Sequence, residues 1–414
     1  MTVLGDISNV IDCEHRTAPA TGREPFGYSV GTRAVRNGRI SLDVAKPVDE
    51  ATYLGWTRRA TPAPGDLIFS REAPMGQVGA VPVDVPVCLG QRTVLLRPDD
   101  ERVDMRFLLY SLMTPQSQAW ISANAAGTTV LHLNVADVRR IPISFLPELD
   151  EQRHILILLE DHLSRLDAAE SYLLTNVKRA ESWHGGFVRK TLWSDQYPRA
   201  EVGGLLREPM RNGRSDRAAA ENSAGTKTLT LTAVTRNAFI DKYTKITTTT
   251  PERAAGLWLE PGDVLVQRSN TPDLVGSTAR YGGPRHWAIF PDLLIRLRAD
   301  ESKIDSRFLT AVLRSEPGHS QLRGKAKGLA GSMPKIDQAA IAGTVVPLPE
   351  PRDQQRLLEL VEQADQAANA LRAELDRIRR RSGSLRRAVL AAAFSGRLTG
   401  VASFRRDAEE MIGG

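Results

Sequence analysis

The chain has 414 residues, of which 41% are hydrophobic, 25% charged and 6% aromatic, so it is long enough for two or three domains with buried cores. It carries 55 Lys and Arg against 49 Asp and Glu, and this basic excess of +6 is compatible with a nucleic-acid partner without requiring one. The two cysteines, Cys13 and Cys88, exclude a disulfide scaffold, and with no long apolar run or signal peptide they predict a cytoplasmic protein without a membrane span.

Residues 1–146 are predicted to form a mixed α/β domain. Short apolar runs at 67–69 and 93–96 are typical of strands, and a Pro-Gly-Asp turn precedes the first of them. A helix is expected over 106–121. Together these elements predict a compact domain with a twisted sheet.

Residues 147–197 are predicted to form a long central helix. Its apolar residues recur at three- and four-residue steps: Ile155, Leu159, Leu166, Ala169, Leu173, Ala180, Trp183 and Phe187. Polar His162 and Asn176 fall on the same seam, where we expect them to fix the register of the helix against its partner. Gly185 and Gly186 predict a bend or an early end.

Residues 198–348 predict a second α/β domain, with strands at 264–266 and 293–295 and a helix over 307–323. Residues 349–398 follow as a second long helix, and 399–414 as a tail. The seam of this helix holds for about five heptads, with Ser382 in its one polar position and Gly383 as a predicted interruption. The seam residues are Leu357, Val361, Ala364, Ala368, Leu371, Leu375, Ile378, Leu385, Val389 and Ala392.

The second half of the chain repeats motifs of the first half in the same order. The matched pairs are Pro64-Gly65-Asp66 and Pro261-Gly262-Asp263, Arg71 and Arg268, Arg106-Phe107-Leu108 and Arg307-Phe308-Leu309, Leu146-Pro147-Glu148 and Leu348-Pro349-Glu350, and Gln152-Arg153 and Gln355-Arg356. Such a series indicates an internal duplication. The stretches 14–60 and 211–257 differ greatly, which suits two readers of different targets and equally suits drift between copies.

The fold class predicted from these patterns is α+β, with a pseudo-two-fold repeat of two α/β domains separated by two long antiparallel coiled-coil helices. The two seams can satisfy each other within one chain, with the domains at opposite ends of the helix pair; the alternative is that both helices pack on other subunits. The residues expected to form the spacer or to dock a partner are Leu166, Leu173, Leu371, Leu375, Ile378, Leu385 and Phe394.

Motifs for catalysis and metal binding are missing from the sequence. There is no Gly-x4-Gly-Lys-Ser/Thr phosphate loop, no His-Glu-x-x-His, no Gly-x-Ser-x-Gly and no Asn/Asp-Pro-Pro-aromatic run, and the seven histidines and two cysteines have no zinc spacing. The sequence therefore predicts a non-catalytic binding protein with no catalytic residue and no metal site.

Basic and polar side chains are the candidate DNA contacts, because Arg pairs with guanine, Asn with adenine, and cations with phosphate. The candidates are His15, Arg16, Thr17, Arg33, Arg36, Arg71, Arg211, Arg214, Arg268, Asn270, Lys325 and Lys327. Each has the alternative of being an ordinary surface charge. Arg71 and Arg268 hold matching positions, so they either support the fold in both copies or bind phosphate. A run of seven arginines over 377–397 is either a solvated helix face, a phosphate contact or a docking surface.

Two helical segments are similar to the conserved regions of the DNA specificity subunit of type I restriction-modification systems. They are LPELDEQR (146–153), which leads into LSRLDAAE (163–170), and LRRAVLAAAFSGRL (385–398). The Pro-Gly-Asp strands resemble the core of that family's target-recognition domains. The resemblance covers nearly the whole chain, as two recognition domains and two spacer helices in the family's order.

The resemblance implies that each domain reads one half of a bipartite target in double-stranded DNA, while the helices set the spacer between the halves. It implies docking of two adenine methyltransferase subunits, which bring S-adenosylmethionine, and of restriction subunits, which use ATP and magnesium. This chain then holds no cofactor and no catalytic residue. The competing hypothesis is a non-catalytic coiled-coil scaffold that joins proteins.

Overall fold

The computed structural model describes residues 2–22, 24–99, 101–128, 130–143, 146–220, 225–235, 238–328 and 333–398. The chain folds into two compact units, of which the first is built from two separate segments and the second from one continuous segment. Unit 1 contains Met1–Leu173 and Asp376–Gly414, and unit 2 contains Leu174–Leu375. The predicted tail 399–414 lies outside the described residues. None of the described helices combines the length and the hydropathy that crossing a membrane requires.

The first half of the chain contains short strands and helices followed by one long helix. Its elements are β1 Thr2–Val3, α1 Leu4–Ile7, β2 Ser8–Asp12, β3 Gly27–Val30, β4 Val35–Arg36, β5 Arg39–Ile40, β6 Lys46–Val48, α2 Glu50–Trp56, β7 Leu67–Ser70, β8 Val78–Ala80, β9 Val87–Leu89, β10 Thr93–Pro98, α3 Met105–Met113, α4 Pro115–Ala123, α5 Val135–Arg139, β11 Pro142–Ile143 and the long helix α6 Leu149–Leu192.

The second half repeats this arrangement. Its elements are β12 Arg199–Glu201, β13 Arg211–Asn212, β14 Thr226–Leu229, β15 Thr244–Thr247, α7 Pro251–Ala254, β16 Val264–Gln267, β17 Thr278–Arg280, β18 Leu294–Leu297, α8 Ser306–Arg314, α9 Glu316–Gly324, α10 Gln338–Ala342, β19 Val345–Pro347 and the long helix α11 Pro351–Ala393. The 3-10 turns are Thr32–Ala34, Val202–Leu205 and Leu231–Val234.

The central sheet of unit 1 is antiparallel, in the order β2-β10-β7-β8, and it is buried on both faces. Leu67 and Phe69 of β7 point into a core that includes side chains of α3, α6 and α11. Ile68, between them, points to the opposite face, where it packs against the layer of β3 and β9. This alternation of neighbouring side chains is the two-residue period of a strand with two covered faces.

Unit 2 contains the same sheet, in the order β13-β18-β16-β17. Val264 and Val266 of β16 pack with α8 and the two long helices, and Leu265 packs on the other side with Tyr281 and Phe290. The duplication inferred from the motifs is therefore also a duplication of sheet order and of the two buried faces.

The aspartate of each Pro-Gly-Asp motif is buried and joins two strands. Asp66 accepts hydrogen bonds from Arg97 of β10 at 2.9 and 2.7 Å, and Asp263 accepts them from Arg298 of β18 at 2.7 and 3.4 Å. Each carboxylate also accepts the backbone N–H three residues earlier, which closes the turn. The motif recurs in both copies because the turn and the strand pairing need this one charged side chain.

The helices predicted over 106–121 and 307–323 are each two helices, so both of these predictions were wrong in extent. A proline at the second helix's start, Pro115 in α4 and Pro317 in α9, cannot continue the preceding helix because its ring blocks the next helical hydrogen bond. Thr114 receives the Ser117 N–H at 3.2 Å and so caps α4.

The two long helices run antiparallel within each unit. In unit 1, Arg386 of α11 pairs with Asp167 and Glu170 of α6, while Leu390 and Ala393, further along α11, share a core with the earlier α6 residues 155–159. In unit 2, Arg372 pairs with Glu181 at 3.1 Å, and the earlier Asp365 accepts from His184 at 2.8 Å.

The seam of α6 differs from the predicted one in its second half. Trp183 is 65% exposed, and the neighbouring His184 is half-buried instead, against Asp365 of α11. His162 is also exposed and does not set the register. Both helices pass without a break through their glycines, 185–186 and 383, so the predicted interruptions were wrong. Packing of the neighbouring turns outweighs the low helix propensity of glycine.

A buried glutamine connects the start of α6 to the domain before it. Gln152 accepts the Asp104 N–H at 2.9 Å and donates to the carbonyl oxygens of Arg102 and Pro147 at 2.9 and 2.7 Å. Its side chain has no exposed surface. The Gln152 amide is therefore the hydrogen-bond partner of three backbone groups. It joins α6 to the start of α3, which begins directly after Asp104.

The same connection exists at the start of α11, one residue away from the predicted match. Gln354, not Gln355, accepts the Asp305 N–H at 2.9 Å and donates to Lys303 and Pro349 at 3.2 and 2.9 Å. Gln355 is exposed on the helix surface. The number of residues between the two members of a matched pair changes along the chain. The equivalent glutamine is therefore identified by its hydrogen bonds and not by its position in the sequence.

We expect Gln152→Ala and Gln354→Ala each to lower the free energy of unfolding by about 1–3 kcal/mol, because each leaves a buried N–H and two carbonyls without their partner. Thermal and urea unfolding of the full chain measure this. The matched control is Gln355→Ala, which should change the stability by less than about 0.5 kcal/mol. An equal effect of Gln354→Ala and Gln355→Ala would contradict the assignment.

Candidate nucleic-acid interface

One end of each central sheet carries loops rich in polar side chains. In unit 1 these loops follow β2 and β7 and precede β10, and we call this end edge 1. Thr17 donates to the Gln91 side chain at 2.9 Å, and Gln91 in turn donates to the carbonyl oxygen of His15 at 3.5 Å. The predicted loop of His15, Arg16 and Thr17 is thus held against the turn before β10.

Arg71 lies beneath edge 1 and is buried. Its guanidinium donates to the Leu133 carbonyl at 3.0 Å and lies 3.5 Å from the Asp12 carboxylate. Its backbone N–H bonds to Arg92 O at 3.0 Å, and its carbonyl accepts the Leu133 N–H at 2.9 Å. Of its two predicted roles, the burial favours support of the fold, since no face of the side chain is left for a phosphate.

Asp12, Cys13 and His15 place potential metal-ligand atoms within 4.8 Å of one another. Both carboxylate oxygens of Asp12 already have partners, however: one accepts the Cys13 N–H at 2.9 Å, and His15 lies 2.9 Å from the other. The Arg71 guanidinium is a competing positive charge at the same carboxylate. This group therefore orders the loop of edge 1.

Arginines at edge 1 are arranged by neighbouring side chains. The Arg16 guanidinium lies 4.4 Å from the ring centre of Trp56, and Arg92 pairs with Glu72 at 2.9 Å. Arg33 is exposed in the turn beside Thr32, which donates to the Ala73 carbonyl at 3.1 Å and so brings that turn to the edge.

Arg36, the remaining candidate of unit 1, is exposed on β4, where it lies opposite Arg39 of β5. This hairpin packs beside β8, since Gly38 bridges to Gly79. Two like charges facing each other across a hairpin are unfavourable unless an anion neutralises them.

Edge 2 is the corresponding end of the unit 2 sheet, where loops follow β13 and β16 and precede β18. Arg268 N–H donates to Leu293 O at 2.8 Å, and Arg268 O accepts the Ile336 N–H at 2.8 Å. These are the same backbone bonds that surround Arg71. The two arginines are therefore equivalent in structure as well as in sequence.

The backbone frame of the two edges is shared, but the side chains on it differ. Strand register and backbone bridges match four pairs of positions between the edges. The pairs are Asp12 and Asn212, Glu72 and Ser269, Arg92 and Leu293, and His132 and Lys335. Edge 1 has carboxylates that pair with its arginines, whereas the same positions of edge 2 are neutral or cationic.

This substitution changes the surroundings of Arg268. In place of the Asp12 carboxylate, unit 2 has Asn212, whose side-chain oxygen accepts from Gln338 at 3.1 Å. Arg268 is only half-buried. A hydrogen bond from the Ala340 amide lowers the pKa of Asp337, and the charges of Lys327 and, to a smaller extent, Arg268 lower it further. Of the two equivalent arginines, the one in unit 2 is the one with exposed surface.

Two predicted DNA contacts of unit 2 have internal bonds. Asn270 donates to the Gln267 side chain at 2.8 Å and accepts the Thr271 N–H, so one donor and one acceptor position of its amide are used within the loop. Lys325 donates to the carbonyls of Ala340 and Gly343 at 3.3 and 2.6 Å and thereby caps the end of α10. These bonds favour support of the loops as the role of both side chains.

The other candidates of unit 2 remain exposed or partly exposed. Lys327 lies 3.5 Å from the Asp337 carboxylate and keeps most of its surface, and Arg211 is exposed on β13. Arg214 pairs with Asp216 at 2.8 Å, and this pair and a bond from Thr249 hold the pKa of Asp216 below its ordinary value.

Arginines at the opposite end of the unit 2 sheet are neutralised. Burial alone would raise the pKa of Glu260, but Arg285, Arg298 and Arg207 outweigh it and hold the pKa below its ordinary value. The contrast between this end and edge 2 favours edge 2 as the end that faces an anionic partner.

The predicted spacer and docking residues divide by exposure. Leu375 is buried, Leu166, Leu173 and Ile378 are half-buried, and only Leu371 and Leu385 are exposed, at 39% and 43%. Phe394, also predicted on the docking surface, is half-buried and packs on Phe107 at the core of unit 1, with 4.8 Å between ring centres.

Sequence comparison finds a family model that resembles part of this chain. Residues 48–179 match the model of the type I restriction modification DNA specificity domain. The type I restriction enzyme StySPI specificity subunit of Salmonella potsdam is 35% identical over 157 residues, or 38% of this chain. That match spans 33% of the relative's own length.

Solved structures extend the likeness of the fold beyond the specificity domain. A chain of a type I R-M system, solved to explain complex assembly and conformational transition, matches with a TM-score of 0.71 and 19% identity, over 95% of this chain and 96% of that chain. The HsdS subunit from Thermoanaerobacter tengcongensis matches with a TM-score of 0.50 and 18% identity, over 95% of each chain. The predicted resemblance and α+β fold class are confirmed.

Several residues of the two edges escaped the sequence analysis, among them Gln91, Glu72 and His132. Each lies within a few residues of a matched motif, so an alignment of the two copies that allowed for their drifting offset would have marked these positions. Such an alignment would show different side chains at equivalent positions, and these differences mark the candidate reading positions.

We expect Arg71→Ala to lower the free energy of unfolding by about 2–3 kcal/mol, because it removes buried hydrogen bonds of a charged group. Arg268→Ala should change it by less than about 1 kcal/mol, since its side chain is partly exposed. Urea unfolding of both variants measures the difference. Equal losses would contradict the asymmetry between the two sites.

Proposed function

We propose that this chain is the sequence-reading subunit of a type I restriction-modification complex, and that edges 1 and 2 each read one half of a bipartite DNA target. The observation that carries the proposal is the pair of edges itself: one backbone frame occurs twice in one chain with different side chains at its equivalent positions. Two readers with different donors and acceptors recognise two different half-sites.

DNA contact at the edges combines phosphate binding with base reading. Arg33, Arg36 and Lys327 supply exposed charge, which positions the protein on the duplex without reading sequence. Thr17 and Gln91 at edge 1 and Thr271 at edge 2 supply neutral polar groups of the kind that contact base edges. Arg71, Asn270 and Lys325 act by holding these loops in place.

In this proposal the chain is a non-catalytic cytoplasmic subunit. It docks two adenine methyltransferase subunits, which bind S-adenosylmethionine, and restriction subunits, which use ATP and magnesium. The support is that the sequence lacks the nucleotide-binding and methyltransferase motifs sought above. The StySPI relative, named as a specificity subunit of a restriction enzyme, is consistent with this division of labour.

A scaffold that joins proteins is the second candidate. It is favoured by Trp183, which is 65% exposed on α6 and stacks on Phe187 with 5.3 Å between ring centres. Exposed aromatic residues on a helix are common in protein interfaces. A docking surface on α6 is also required of a specificity subunit, so DNA binding by the assembled complex separates the two candidates.

We expect the methylated adenine motif of a host to follow this chain when it is exchanged for another specificity subunit. Replacing the edge 2 residues Ser269, Leu293 and Lys335 by their edge 1 counterparts should alter one half of the motif and leave the other unchanged. Genome-wide methylation sequencing measures both. A motif that survives exchange of the whole chain would rule out the proposed function.

The helices are proposed to set the distance between the two half-sites. Inserting one heptad into both α6 and α11 preserves their seams, so the variant should fold but recognise its half-sites at an altered spacing. Methylation sequencing, or binding to duplexes with spacers of graded length, measures the change. An unaltered spacer length would contradict this role of the helices.

A further inference from the structure

At each edge, exposed apolar side chains lie close to a pair of backbone hydrogen bonds. In unit 1, Ala126 and His132 exchange backbone hydrogen bonds at 2.8 and 2.9 Å. In unit 2, Lys327 and Lys335 do the same at 2.8 and 2.9 Å. The described residues around these bonds, 126–128 with 130–132 in unit 1 and 327–328 with 333–335 in unit 2, are called the edge hairpins.

Each edge hairpin is fixed at its base. His132 bridges to Glu72, and the next residue, Leu133, is fully buried and bonds to both the backbone and the guanidinium of Arg71. In unit 2, Lys335 bridges to Ser269 and is followed by Ile336, which is 1% exposed. The residues just before each base are therefore presented from a rigid support.

The side chains presented in this way are apolar in both copies. Val130 and Leu131 are 47% and 51% exposed in unit 1, and Met333 is 65% exposed in unit 2. A single exposed apolar residue is ordinary. Here an exposed apolar side chain recurs at one structural position of both edges: Val130 lies two residues before His132, and Met333 lies two residues before Lys335. This recurrence favours a partner with an apolar group.

The charge around these side chains identifies the partner. Residues 122–133 and 323–336 contain no Asp or Glu, and the second segment contains Arg323, Lys325, Lys327 and Lys335. Two carboxylates lie beside these segments, since Glu72 bridges to His132 and Asp337 lies 3.5 Å from Lys327, but the cations of the second segment outnumber the one carboxylate beside it. Exposed apolar side chains beside such cations suit a surface that is anionic overall and apolar in places. The major groove of DNA is such a surface, because each thymine exposes a C5-methyl group among the base edges and the phosphates lie on both sides.

We propose that the edge hairpins enter the major groove and read thymine through its methyl group, with Val130 and Leu131 serving one half-site and Met333 the other. This inference rests on the proposed function and adds the residues and the base that it needs. Arg71 is a positioning residue in this reading, since it holds the carbonyl of Leu133 and touches no base.

Deoxyuridine tests the contact directly, because it differs from thymidine only by the missing methyl group. The assembled complex with its methyltransferase subunits is titrated with the duplex that its methylation motif defines, in which each thymine is replaced in turn by deoxyuridine. Loss of one buried methyl group should weaken binding by the wild-type complex about fourfold at one thymine of each half-site.

The variants then assign each thymine to a hairpin. Val130→Ser with Leu131→Ser should weaken binding about fourfold or more and remove the sensitivity to deoxyuridine in one half-site only; Met333→Ser should do so in the other. The control is Val83→Ser, which alters a 75% exposed valine beyond β8, at the end of the sheet opposite edge 1. It should bind every duplex as the wild type does.

The outcomes separate this inference from the proposed function. The hairpins do not read thymine if the wild-type complex binds its duplex tightly and no deoxyuridine substitution weakens that binding. The same conclusion follows if the serine variants keep the wild-type sensitivity to deoxyuridine. In both cases the proposed specificity function stands. If the wild-type complex binds no duplex in preference to random DNA, the proposed function is lost, and the thymine contact with it.

Discussion

Burial of both faces of each central sheet is the constraint from which the rest of the structure follows. Leu67 and Phe69 face the helices while Ile68 faces the strand layer on the other side, and the same alternation occurs at Val264 and Leu265. A sheet covered in this way can meet a ligand only at the ends of its strands. One end is closed by the Pro-Gly-Asp turns with their paired arginines, so the loops of the other end are left to contact a partner.

The duplicated frame separates stability from recognition. The carboxylate of Asp66 or Asp263 and the amide of Gln152 or Gln354 make the same bonds in both copies, and each is buried. Side chains at the edges differ between the copies, and none of the differing side chains takes part in these shared bonds. A scaffold of this kind permits the side chains of one edge to change without disturbing the other edge, as the proposed reading of two unlike half-sites requires.

Much of the fold was predictable because the strongest patterns are local or periodic. The strands at 67–69 and 264–266, the two long helices and the duplication all came from runs, heptads and repeated motifs. The predictions failed where neighbouring residues fit the same sequence pattern and only tertiary packing decides which of them is buried. Trp183 and His184 are adjacent in the chain, and only the position of Asp365 on the other helix selects His184 for the seam.

The sequence by itself determined the order of the parts, their duplication and the resemblance to type I specificity subunits, since these depend on composition, spacing and motif. Only the tertiary structure decided which charged side chains keep exposed surface. Arg71 and Arg268 are the same residue type at the same repeat position, but a carboxylate at Asp12 accompanies one and Asn212 the other. Partners of this kind lie far apart in the chain, so their effect on exposure follows from the fold.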